Sequence, residues 1–191
     1  RSEEAISALQ EAIGLAAGLG NVRTCAAMTL SLADVYMDTG RFDDSFSLAA
    51  QAVALSQQAE QPYLVEQAVR TLAISEFLLG DRTSAISRIS GQLRTEKNPL
   101  FGPGKSTSLF WLSAFLAEVG SCKLARRTMI FAKRAGWRID LLYVPEQADI
   151  QELASAAPND AVAAPDPLVK TSELLALLDE IDLTVGDPTT I

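Results

Sequence analysis

The chain has 191 residues, of which 48% are hydrophobic, 21% charged and only 6% aromatic, with a formal net charge of −8. That length suffices for one domain with a substantial core plus a tail, and apolar content dominated by Ala and Leu favours helix over sheet. Histidine is absent and the two cysteines are Cys25 and Cys122, which removes the commonest general base and metal ligand and argues against a disulfide framework.

Both cysteines fall on stretches that read as helical, where buried, inert thiols are expected. No apolar run approaches the roughly 20 residues needed to cross a bilayer, so no membrane contact is expected. Charge is unevenly spread. Residues 1–138 carry 15 Lys/Arg and 13 Asp/Glu, whereas residues 139–191 carry one Lys and 11 acids. Neither part offers the cationic surface that phosphate binding needs, so no nucleic-acid partner is expected.

The first element, EEAISALQEAIGLAAGL from Glu3, reads as a helix. Beyond it, Gly40, Gly80 and Gly120 recur every 40 residues, each after a helical stretch. Glycine suits the left-handed conformation that closes a helix, and a fixed period in this range signals stacked supersecondary units. Other columns keep the register: Leu32–Ala33, Leu72–Ala73 and Leu112–Ser113 before the glycines, and Ser45, Ala85 and Ala125 after them. Small residues at fixed points let paired helices approach closely, and the neighbouring Leu fills the seam.

The string LADVYMDTGRFDDSFSLAAQAVAL, from Leu32 to Leu55, resembles a tetratricopeptide repeat in its Leu32–Ala33 pair, Tyr36, Gly40, Phe42, Ser45 and Ala52. The copy from Leu72 keeps Leu72, Ala73, Gly80 and Ala85 but has Glu76 for the tyrosine and Arg82 for the aromatic. The third keeps Leu112, Ser113, Gly120, Ala125 and Ala132. The period exceeds the family's usual length of about 34 residues, so the resemblance is to an extended variant. It covers about residues 1–138 and implies an all-α, α–α superhelix of helix-turn-helix pairs. The stretch from Glu3 matches the second helix of a pair, so further repeats are expected upstream.

FGPGKST, residues 101–107, contains the Gly-Lys-Ser end of a phosphate-binding loop. The position that such a loop reserves for its first glycine holds Pro99, and the preceding residues have helical rather than strand periodicity. The stretch reads instead as a connection between pairs, with Ser106 or Thr107 as N-cap of the next helix.

The resemblance also implies a groove on the first helices of the pairs. Carried over by register, it places Leu30, Asp34, Met37, Arg70, Ile74, Phe77 and Phe110 there: a mostly apolar strip with Arg70 as its one cation. Such a strip suits an amphipathic helix with an acidic residue near its centre. Packing against neighbouring helices is the competing account of these side chains. The stretch 121–138 has six Lys/Arg and no acid. Its Arg126 and Arg127 are candidate contacts for an acidic partner or nucleic acid, against the plainer reading of a solvated outer face. Trp137 is expected to cover the end of the stack.

After Trp137 the period stops. Residues 145–156 read as a short helix that completes a repeat domain of residues 1–157. Residues 158–170 are an Ala/Pro-rich linker. Residues 171–191 hold an acidic helix in which Leu174, Leu177, Leu178 and Ile181 share one face. So short a helix needs a surface on which to bury that face. Three readings stand: docking onto the repeats, binding to another protein, or a fused peptide. For docking, charge complementarity favours the strip with Arg70 or the basic stretch 121–138.

These features make a protein-binding scaffold the expected function, with no catalysis, cofactor or metal. The partner is a protein or peptide, and an intramolecular contact with residues 171–185 is a further expectation. A peptide- or ligand-sensing regulatory domain of a multidomain transcription regulator or signalling ATPase is the alternative. Cytoplasmic or nuclear placement follows from the cysteine usage.

Overall fold

The computed structural model describes residues 2–94, 103–135 and 171–185, and these form eight helices with no strand among them. They are α1 (Ser2–Gly18), α2 (Val22–Asp38), α3 (Phe42–Gln58), α4 (Pro62–Leu78), α5 (Arg82–Leu93), α6 (Pro103–Glu118), α7 (Cys122–Arg134) and α8 (Thr171–Val185). The fold is all-α. The chain divides into two compact units, Arg1–Arg88 and Ile89–Ile191. The linker 158–170, the short helix expected at 145–156 and Trp137 lie outside the described residues.

In the first unit each helix packs on the next, α1 on α2, α2 on α3 and α3 on α4, and α2 also meets α4. This is the sequential helix-on-helix packing of an α–α superhelix. α1 to α4 are each 17 residues long, so the turns recur every 20 residues rather than only every 40. Positive φ falls at Gly20 (67°), Gly40 (76°), Glu60 (52°), Gly80 (101°) and Gly120 (81°).

All five turns close alike. At Gly40 the amide of Gly40 donates to Met37 O at 3.1 Å and that of Arg41 to Tyr36 O at 2.8 Å. Equivalent pairs form at Gly20, Glu60, Gly80 and Gly120. This double closure satisfies carbonyls that a helix end otherwise leaves without partners. A Cβ at Gly40 would meet nothing within 4 Å. The demand for glycine there is therefore conformational, about 1–2 kcal/mol. Glu60 meets that demand without being a glycine.

The small-residue columns sit where register predicts. Ala33, Ala73, Ser113, Ser45, Ala85 and Ala125 are wholly buried, and their neighbours Leu32, Leu72 and Leu112 are buried too. Ser45 and Ser75 share a hydrogen bond of 2.7 Å between their hydroxyls, and Ser113 Oγ donates to Ala125 O at 2.7 Å. The serines thus keep close helix approach while satisfying their own polarity. Tyr36 packs with Ile6 and Leu32, flanked by Leu9, Ile13, Val35 and Leu48. Its ring lies under the Arg41 guanidinium at 4.1 Å. At the matching position 40 residues on, Glu76 instead receives a two-pronged contact from Arg88 at 2.8 and 2.9 Å.

Two local expectations are corrected. Pro103 opens α6, so Ser106 and Thr107 lie within the helix and neither is its N-cap. Proline suits a first helical position because its missing N–H is not needed there. Cys25 is buried as expected, but Cys122, at the start of α7, is exposed.

Candidate protein-binding site

The residues carried over by register divide by burial. Leu30, Ile74 and Phe110 are 5%, 5% and 1% exposed. They offer no surface to a partner, so the open apolar strip expected from register is not formed by these side chains. Leu30 shows why: it closes a core cluster with Ala52 and Ala68, alongside Val53, where α2, α3 and α4 meet. Asp34, Met37, Arg70 and Phe77 are half-buried. Phe77 lies beneath the Arg82 guanidinium at 5.7 Å.

Asp34 and Arg70 belong to a polar cluster between α2 and α4. Thr71 Oγ1 donates to Asp34 Oδ1 at 3.0 Å. Burial pushes the Asp34 carboxyl above its ordinary range and outweighs Thr71 and Arg70, which pull it down; Asp38 adds to the rise. Burial likewise lowers the pKa of Arg70, against the carboxylates of Glu66 and Asp34 and the phenol of Tyr63. The Arg70 Nη1 is sealed from solvent and has no hydrogen-bond partner among the described residues. Arg70 is thus a half-buried cation in the field of nearby carboxylates, with one nitrogen sealed from solvent, rather than the fully exposed cation of a groove.

The second unit presents a different arrangement. α8 packs against α7, and Leu174, Leu177, Leu178, Ile181 and Val185 are 3%, 0%, 0%, 0% and 6% exposed. The spacing 174, 177, 178, 181, 185 lays these side chains on one helical stripe. Arg94, just past the end of α5, spans a turn of α8 with one guanidinium. Its Nη1 donates to Asp179 Oδ1 at 2.8 Å and its Nη2 to Asp182 Oδ2 at 2.6 Å. Arg127 of α7 donates to Glu180 Oε2. Arg126, its neighbour, is exposed.

Magnitudes separate the two contributions. Fully burying a Leu or Ile side chain is worth about 1.5–3 kcal/mol. An exposed ion pair contributes about 1 kcal/mol or less, and Asp179, Glu180 and Asp182 keep 67%, 44% and 47% of their side-chain surface exposed. The apolar stripe therefore supplies the adhesion, and the carboxylates fix which way the helix lies and at what register. Arg94 is not among the positions that register assigns to the groove. The available signal was a lone cation following the last apolar residue of a helix, where it also complements the helix dipole.

Among the described residues no cluster of three or more Cys, Asp and Glu is placed to hold a metal, and no helix is long and apolar enough to cross a membrane. No protein-family model matches the chain, and no curated protein or solved structure matches it either.

Proposed function

We propose that this chain is a protein–protein interaction module, akin to a tetratricopeptide scaffold, that recognises an acidic amphipathic helix. One observation carries the reading. The second unit holds such a helix, α8, with its Leu/Ile stripe buried and its carboxylates on Arg94 and Arg127. A surface that reads an apolar stripe together with carboxylates one turn apart has the two elements of helix-in-groove recognition, adhesion and register. The partner is a protein or peptide segment of the same chemistry as α8, met in a reducing compartment such as the cytoplasm or nucleus. The chain's role is to bind and position that partner rather than to catalyse.

The test is a titration of the full chain with synthetic helical peptides of three kinds: acidic amphipathic, basic amphipathic, and scrambled acidic. The acidic amphipathic peptide is expected to bind best, and an Arg94→Glu/Arg127→Glu chain to bind it at least tenfold more weakly. Equal binding of all three, or indifference to the double substitution, would sink the reading.

A further inference from the structure

Three features of α8 bear on how its surface is used. Its hold on Arg94 and Arg127 rests on charged groups that remain open to water and salt. At 15 residues it is near the length below which a helix is only marginally stable alone, roughly 12–15 residues, so leaving the surface also means losing its structure. Residues 136–170 separate it from α7 along the chain. α8 is thus joined to its surface through an interface with two separable parts, and a competing helix needs only to reproduce both.

From this geometry we infer that α8 is an exchangeable occupant. It covers the surface by Arg94 and Arg127 in cis, and a partner helix with the same stripe and carboxylate spacing takes its place. This rests on the proposed function and adds its regulation: the site is self-occluded, and partner binding displaces α8. Because α8 belongs to the same chain, a partner in trans must outcompete a helix that is always present beside the surface. A partner's apparent affinity is lowered by the fraction of molecules in which the surface is covered. A weakly matched helix is then excluded, and only one matching both stripe and charges competes.

The probe is a labelled synthetic peptide covering residues 168–188, added in trans to the full chain. In one variant the chain's own α8 carries Asp179→Lys, Glu180→Lys and Asp182→Lys, which places like charges against Arg94 and Arg127 while leaving the apolar stripe intact. That chain is expected to bind the peptide at least tenfold more tightly than the unaltered chain. Adding Arg94→Glu and Arg127→Glu to it should abolish the gain.

Equal affinity for the unaltered and tail-reversed chains would overturn self-occlusion while leaving a helix-binding function intact. No binding by either would overturn both. Hydrogen exchange on the unaltered chain needs no variant to fold. α8 amides are expected to exchange at least a hundredfold faster than those of α7, through local release. Exchange of the two helices at one common rate would overturn the inference, because α8 would then leave only when its whole unit unfolds.

Discussion

The two arginine environments of this protein differ in what they leave available. Arg70 is half-buried, one of its nitrogens sealed, and it lies in the electrostatic field of Asp34 and Glu66. Arg94 and Arg127 stand with 30% and 41% of their side chains exposed, and each reaches a carboxylate on α8. A cation with a sealed nitrogen, set among the carboxylates of its own helices, organises its own unit. A cation left at a rim selects what lies across from it. Counting positive charges in the sequence does not separate these roles; burial and partners do.

The contrast is testable, beginning where the effect is largest. Leu177→Ala removes a wholly buried anchor of α8 and should weaken its packing by about 2–5 kcal/mol, read as faster hydrogen exchange across α8. Unchanged exchange there would mean that the stripe is not what holds the helix. Arg70→Ala leaves two carboxylates without their cation and should destabilise the first unit by about 1–3 kcal/mol in urea unfolding, with no change in α8 protection. A loss of α8 protection instead would erase the distinction between the two environments.

Arg94→Ala should reduce stability by about 1 kcal/mol or less, and 0.5 M salt should diminish that difference, since the pair is open to screening. The smallest effect concerns acid titration. Because burial raises the Asp34 pKa above 3.8, the folded state holds its proton more tightly than the unfolded chain between 3.8 and the raised value. Stability should therefore fall as pH rises through that window. Asp34→Asn keeps an oxygen for Thr71 and should flatten this segment of the stability–pH curve. A rise in stability over the same window in the unaltered chain would contradict the buried-carboxyl account.

Much of the helical framework is legible in the sequence because glycine and small-residue columns act through backbone geometry and close approach, which depend little on context. Gly40, Gly80 and Gly120 mark real turns, and the columns around Ala33 and Ser45 are buried. The turn at Glu60 escapes a glycine search, since hydrogen-bonded closure holds a non-glycine residue at φ 52°. The candidate groove was harder to read. Register assigns Leu30 to a face, but only its contacts with Ala52 and Ala68 reveal that the face is a seam. The role of Arg94 depends on a partner 85 residues away in sequence, which a cation at a helix end does not by itself identify.

The regular turns also restrict how such a chain can change. Adding one residue inside a 17-residue helix would rotate everything after it by about 100° around the axis. Ala33 or Ser45 would swing off its seam and a polar neighbour would swing in. Adding one at a turn would separate the left-handed residue from the carbonyls it closes. Through α1 to α4 exposed positions can therefore vary by substitution, while length polymorphism is confined to the gain or loss of whole helices.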